Sequence, residues 1–361
     1  MDIRCVPWRR RSRTLTGRFA PGLALLALGA CEVPTSLPEW DTLWIAPGQS
    51  TTISVASLLP GQVSVTGGGD AFQLDVAPVS FQESLGEACP ACALANGFTL
   101  PKPAFTLEIS ATAPLPSDVV TANLASGQVA VALTHNFGFD PLRPSASARG
   151  YLVLTARSGT TTLVRDSISG NDLAWPQGST INRTLSLSPA VIASGVEVAA
   201  KLYSPAGDPV KIDTNQRLSL TATPTLLRAS EAKVHVTNQA ITVEEVDLDL
   251  EDIDDVVVDH QKGGALLLDI SNPFDVTGNL ALTITAPGTT INRQLALKTG
   301  DFTARIELSE SDLSSILGRS PVRLSATGSV SGPAGGVTVK PSQNVDIDSR
   351  LELTIGPKEG Q

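Results

Sequence analysis

The sequence predicts an all-β protein: two tandem antiparallel β-sandwich units related by an internal repeat and preceded by a cleaved signal peptide. Three observations carry this. Short runs alternate apolar and polar residues, as at 51–55, 105–109, 151–155, 184–187, 218–221 and 351–355. Gly, Pro, Asn and Asp punctuate these runs, the pattern of a sandwich or barrel. Residues 118–137 and 255–274 align without a gap, and Asp118, Val119, Val120, Gly127 and Phe137 recur as Asp255, Val256, Val257, Gly264 and Phe274.

The first element is residues 1–30. Arg4, Arg9, Arg10, Arg11, Arg13 and Arg18 stand against Asp2 alone, and an apolar run follows at 23–30. That order is the order of a secretory signal. The run is far shorter than the ~20 residues of a membrane-spanning helix. Its end, Leu28-Gly29-Ala30-Cys31, resembles the lipobox of bacterial lipoproteins: an aliphatic residue and two small ones before a cysteine. The resemblance implies cleavage before Cys31 and acylation of its thiol, which makes membrane lipid the first partner. Each buried methylene adds about 0.8 kcal/mol of membrane affinity, so several acyl chains anchor a protein permanently. Glu32 follows the cysteine where enteric inner-membrane lipoproteins carry Asp, which implies the outer membrane, facing the periplasm or the cell surface. Two other readings stay open: a chance cysteine beside an ordinary secretory site, releasing a soluble protein, and a twin-arginine signal at Arg9-Arg10.

Residues 31–38 form a short tether, and 39–104 read as an N-terminal β region packed on the first sandwich. Trp40 and Trp44 lie four apart and close to the anchor. They are candidates for contact with the membrane interface, where indole rings partition well; packing against the sandwich is the competing reading. With Cys5 lost with the signal and Cys31 acylated, Cys89 and Cys92 remain as the pair in the mature chain, and they are expected to form a structural disulfide. Cys-Pro-Ala-Cys also has the spacing of a thioredoxin-type redox motif, which needs a thiolate stabilised at a helix start. Gly86, Pro90, Asn96, Gly97, Pro101 and Pro103 surround it and read instead as a loop between strands. A zinc site would need two more ligands, and the nearest histidine, His135, stands alone.

The repeat units are expected at 105–230 and 231–361. Further landmarks are Arg217-Leu218-Ser219-Leu220-Thr221 against Arg350-Leu351-Glu352-Leu353-Thr354, and Pro205-Ala206-Gly207 against Pro333-Ala334-Gly335. Duplication of one β unit explains them. Each unit is expected to open with a strand, cross over through a short helical turn, and enter a buried strand. In the second copy Val246, Leu248 and Leu250 alternate with Asp247, Asp249 and Glu251, one apolar face and one acidic. Residues 252–261 then suit a short helix, with Asp254 and Asp255 in its first turn, Ile253, Val256 and Val257 on one face, and Gly263 to end it. The buried strand at 265–270 leads into Asn272-Pro273. A strand followed by Asn-Pro resembles the late-embryogenesis-abundant type 2, or water-stress, domain, and that resemblance implies a β-sandwich. The first copy has His135-Asn136 in its place.

Charge narrows the partners. Loss of the signal removes six Arg and one Asp, moving the formal charge from −10 to about −15. Such a surface excludes nucleic acid, whose binding needs clustered Lys and Arg. A helix-loop-helix calcium site counted from Asp247 would need Gly at 252 and an acid at 258, where the chain has Asp252 and Val258. The acidic run at 244–259 therefore reads as a solvated strand face and helix start. His135, His235 and His260 belong to no recognisable nucleophile motif, and there is no Gly-x-Ser-x-Gly elbow, phosphate loop or paired-His motif. No catalytic residue, cofactor or metal is expected. The resulting expectation is a non-catalytic, lipid-anchored envelope protein with a structural role or a binding role toward an envelope protein. Carriage of a lipid or other apolar ligand between the units is the alternative, and disulfide exchange through Cys89 and Cys92 a third.

Overall fold

The computed structural model describes residues 41–59, 61–250 and 253–357. Cys31, Trp40 and the signal segment lie outside these residues. The chain opens with β1 (Thr42–Ser54), a 3-10 turn (Val55–Leu58), β2 (Val63–Val65), β3 (Phe72–Leu74) and β4 (Val79–Ser84). Two short helical turns, α1 (Leu85–Ala88) and α2 (Pro90–Leu94), lead to β5 (Thr99–Pro101). Then come β6 (Phe105–Ala113), β7 (Val119–His135), β8 (Tyr151–Ser158), β9 (Thr161–Ser169), β10 (Thr180–Leu187), β11 (Ala190–Ile192), β12 (Val196–Ser204), β13 (Pro209–Lys211) and β14 (Arg217–Val234). The last part comprises β15 (Gln239–Leu248), α3 (Asp255–His260), β16 (Gln261–Asn272), β17 (Thr277–Ala286), β18 (Thr289–Leu297) and β19 (Gly300–Leu308). It ends with α4 (Glu310–Ile316), β20 (Val322–Ser331), β21 (Val337–Val339) and β22 (Asn344–Ile355).

These strands build two sandwiches of matching topology. The first sets a β6-β12-β8-β9 sheet against β10-β7-β14, with β4 on the outer side of β14. The second sets β15-β20-β17-β18 against β19-β16-β22-β1. Strand for strand the orders agree, so the fold is all-β and the repeat is real in three dimensions. The shared glycines have a physical cause. A Cβ on Gly127 would lie 2.6 Å from Leu227 Cδ2, and one on Gly264 would lie 2.2 Å from the Glu352 carbonyl oxygen. At Gly264 the backbone leaves no room for a side chain, whereas at Gly127 the leucine ends would have to shift.

Inward positions alternate strictly. Val129, Val131 and Leu133 on β7, Leu218, Leu220 and Ala222 on β14, and Leu152, Leu154 and Ala156 on β8 are all buried. The second unit repeats this with Leu266, Leu268 and Ile270 on β16, and Val345, Ile347, Leu351 and Leu353 on β22. The period of two puts the opposite residues in solvent.

Four expectations need correction. The N-terminal region does not pack wholly on the first sandwich: β1 pairs along its length with β22, from Thr42 opposite Ile355 to Ser54 opposite Asn344. Only β2 to β5 belong to the first unit, because β22 leaves an open edge that β1 fills as β4 fills the edge of β14. The boundary near 230 falls inside β14, which continues to Val234 because β21 pairs with its last residues, Ala232 to Val234. A helical turn precedes the long strand only in the second copy. Asp254 caps α3 by accepting from Val256 N–H at 2.8 Å, whereas the matching residues of the first copy extend β7, paired with β11 and β14. Ile253 before the cap and Val257 and Val258 within α3 pack on the core while Val256 points to solvent.

The fourth correction concerns the Arg-Leu landmarks. Leu218 pairs with His135 at the start of β14, but Arg350 pairs with Leu267 late in β22. The motifs occupy opposite ends of equivalent strands, so their likeness reflects alternation and not register. The Pro-Ala-Gly landmarks do follow equivalent strands, β12 and β20.

The sandwiches meet end to end. β14 leaves the first at Val234, and β15 begins the second at Gln239. Across the junction β21 pairs with β14, and on the link from β1 to β2 the Ser57 carbonyl accepts from the Gln239 amide of β15 at 3.3 Å. Leu133→Ala in the first sandwich and Leu353→Ala in the second should each cost about 2–5 kcal/mol. Both should lower the midpoint of one shared denaturation transition. Two resolved transitions, each sensitive to only one substitution, would contradict a coupled junction.

Candidate functional site

Equivalent strand ends carry equivalent locks. In the second unit the Asn272 side chain accepts from Phe274 N–H at 3.1 Å and donates to the carbonyls of Val276 at 3.1 Å and Lys298 at 2.8 Å. In the first, His135 takes the same place. Its Nδ1 accepts from Phe137 N–H at 3.2 Å and its Nε2 lies 2.8 Å from the Trp175 carbonyl. A neutral imidazole protonated at Nε2 thus presents the same acceptor and donor as an amide. Burial lowers the His135 pKa, opposed by the Trp175 carbonyl and the charge of Asp140. This explains why the Asn-Pro sequence is missing from the first copy while the corner is kept. It also makes Trp175 a loop anchor: buried, its Nε1 donates to the Ser179 carbonyl at 3.0 Å and its N–H to Asp140 at 2.7 Å.

Beside this lock lies a feature the sequence did not reveal. Lys102 is 1% exposed. Its ammonium donates to the carbonyls of Pro103 at 2.8 Å and Pro205 at 2.6 Å, and lies over the rings of Phe105 at 4.7 Å and Phe139 at 5.2 Å. Burial pulls its pKa down to about 7, against the carbonyl acceptors and ring faces, which favour the cation. The rings of Phe105, Phe137 and Phe139 then run on to His135 and Trp175 through contacts of 4.6 to 6.2 Å. Lys102 staples the start of β6 to the end of β12. No periodicity marks such a residue, because its partners are backbone carbonyls brought in by folding.

The disulfide region covers this same end of the first sandwich. Cys89 and Cys92 are bonded, with an S–S distance of 1.99 Å, and both are buried. Their setting corrects the loop expected from the sequence. Cys89 caps α2, accepting from Cys92 N–H at 3.0 Å, and Pro90 sits in the first turn. Ser84 and Glu87 form a capping box on α1. Both turns are held on the chain before β14, with Leu85 N–H on the Gln216 carbonyl at 2.7 Å and Gly97 N–H on the Ile212 carbonyl at 2.9 Å. The cap so fixed leaves Leu94 90% and Phe98 66% exposed. Buried sulfurs cannot meet a thiol partner, which opposes the redox reading despite the helix start.

Acidic groups lie chiefly on sheet faces. Arg323 bridges Glu245 at 3.3 Å and Asp247 at 3.2 Å on the outer side of β15. On the outer face of β19-β16-β22, Asp269, Asp301, Asp346 and Asp348 line a shallow depression. There Thr303 donates to Asp269 at 2.6 Å, Ser271 donates to Asp301 at 2.7 Å, and Arg350 pairs with Asp269 at 2.9 Å. The matching face of the first sandwich has no carboxylate in its lining, which is Ala130, Ala132, Asn182, Thr184, Thr221 and Thr223 with Arg183. Among the described residues no group of His, Cys, Asp and Glu is placed to hold a metal ion. For an apolar ligand, the enclosed space beside Leu248, Leu266 and Leu351 is about 10 Å³, no larger than one water.

Trp44 is half-buried and packs on the core beside Ala46. Strand alternation turns its neighbours outward, so Leu43 is 57% and Ile45 51% exposed. Trp40 is outside the described residues. Among those residues no helix is long and apolar enough to cross a membrane.

No family model and no curated protein matches the chain. Among solved structures it is similar to a protein from Parabacteroides distasonis described as a candidate secreted protein, at 11% identity and a TM-score of 0.31, covering 86% of this chain and 99% of that one. It is also similar to the tandem CBM22 domains of Xyn10C from Paenibacillus barcinonensis, at 11% identity and a TM-score of 0.17, covering 85% and 98%. Likeness at this level carries no functional inference.

Two outcomes test the site. A double Cys89→Ser, Cys92→Ser variant should still fold, losing less than the roughly 3 kcal/mol of a fifteen-residue loop, because the closed loop is much shorter; failure to fold would assign the bond a larger role. For His135, the folded pKa is below the unfolded value of 6.5, so the unfolded chain binds more protons in between. Its contribution is full above that value and is lost as pH falls below it. Against His135→Asn, the wild type should lose stability on acidification from pH about 7 to 5. A pH-independent difference between the two denaturation midpoints would overturn this.

Proposed function

We propose that the chain is a non-catalytic, lipid-tethered protein of the cell envelope that holds a preformed binding surface away from its membrane. The reading is supported by one arrangement above all. β1 enters the second sandwich at the end farthest from the first, since Thr42 pairs with Ile355 at the close of β22. The disulfide-stapled cap lies at the end of the first sandwich farthest from the second, next to the start of β14. The start of β1 and the cap therefore lie at the two ends that do not meet.

A contiguous exposed apolar patch marks an interaction site. Leu94 and Phe98 sit on a rigid scaffold, fixed by the disulfide, the capping box and the bonds to residues 212–216. A rigid surface binds without a large ordering cost. The buried Lys102 and His135 are engaged in structural hydrogen bonds. An envelope protein partner for the cap follows from this reading, with Cys31 as the acylated residue and the outer membrane as the site of anchoring.

Globomycin, which blocks lipoprotein processing, should cause the unprocessed precursor to accumulate in cells, seen as a slower band and a larger intact mass. Cys31→Ala should abolish acylation and leave the chain unprocessed at that site. Normal maturation under the drug or in the variant would overturn the anchoring.

A further inference from the structure

The end of the second sandwich where the chain enters has a surface unlike the rest of its sheet. Along the outer face of β1 and β22, the positions nearer the junction are Ser50, Thr52, Asp346, Asp348 and Arg350, all polar. At the entry end β1 presents Leu43, 57% exposed, and Ile45, 51% exposed, beside Thr354 and Glu352 of β22. Val256, on α3 at this end, is 63% exposed, whereas Val257 and Val258 of the same turn pack against the core. The elements are pinned together: Gly356 N–H donates to the His260 carbonyl at 3.0 Å, Gln261 and Thr42 both pair with Ile355, and Lys262 bonds Asp41 at 2.9 Å.

The length of chain before β1 says what covers this surface. Nine residues lie between Cys31 and Asp41, and fully extended that stretch reaches at most about 35 Å. The entry end is thus the part of the folded body that a lipid on Cys31 holds nearest the bilayer. We infer that this end is a membrane seat, in which Leu43, Ile45 and Val256 lie against the headgroup layer of the bilayer. The inference rests on the acylation proposed above. Partial immersion of three apolar side chains removes them from water at no cost in buried polar backbone, since β1 keeps its ladder to β22. The acids of this end, Asp41, Asp254, Asp255 and Asp259, select a zwitterionic surface over an anionic one. Seated so, the protein directs the first sandwich and its cap away from the lipid.

Hydroxyl-radical footprinting of the full mature chain tests the seat, with the acylated protein in phosphatidylcholine vesicles and an unacylated chain starting at Glu32 as reference. Labelling of Leu43, Ile45 and Val256 should fall several-fold in the vesicle-bound form, while Leu94 and Phe98 label as in the reference. Intact mass reads acylation separately: a chain without lipid overturns both the anchor and the seat. An acylated, vesicle-bound chain whose Leu43, Ile45 and Val256 label as fast as the reference overturns the seat alone. Protection of those residues in the reference itself, without vesicles, would assign the surface to a second copy of the chain and also overturn it.

Discussion

The antiparallel pairing of β7 with β14 is the constraint on which the rest of the molecule depends. The two strands run from Leu218 opposite His135 to Val234 opposite Val119, longer than either sandwich needs. The excess length emerges at the junction, where β14 changes partner from β4 to β3 and then to β21. The register shifts at this crossing, and Leu226 adopts a positive φ of 52°. A bulge bends a strand and increases its twist, which lets one continuous strand serve the first core and still bind an element of the second. The pairing of β21 with β14 follows from that bend.

Duplication fixes a frame and leaves its contents free. The two units keep the same strand order, the same glycine at the crowded centre and the same phenylalanine after the buried strand. Their locks differ in residue type but not in role, because neutral His135 and Asn272 each accept from the N–H two residues on and donate to backbone carbonyls, His135 to one and Asn272 to two. The surfaces diverged further. An outward position on a strand is limited only by exposure and β-propensity, so one sheet carries carboxylates and the other hydroxyls and methyls. The buried lysine and its phenylalanines belong to the first unit alone, at the end that also carries the disulfide cap.

Both units solve the same edge problem with different parts of the chain. An open edge strand invites pairing with another molecule. In the first unit β4 covers β14, and in the second β1 covers β22. Because β1 precedes everything else in the fold and β22 ends it, the last sandwich is closed by the first strand. This long-range closure makes the two units one compact body beginning at Asp41. It also sets the direction of the molecule, since the chain must enter at the end of β22.

Much of the architecture was legible from alternation, because a period of two in runs such as 105–109 and 151–155 already states which side chains face a core. The repeat was legible from residues that sterics hold in place, Gly127 with Gly264 and Phe137 with Phe274. The Cys89 and Cys92 pair was legible from its three-residue separation, though its helical setting was not, because Pro90 reads as a loop breaker until it is found in a first turn. Tertiary structure alone decided where β1 goes, since any free edge would accept its alternating pattern and only the completed second sandwich has one at the right end. It alone decided the burial of Lys102, whose carbonyl and ring partners come from residues 103 to 205 along the chain. It also turned Trp44 inward and Leu43 and Ile45 outward: the sequence sets the alternation of a strand, but the sheet it joins decides which face is inside.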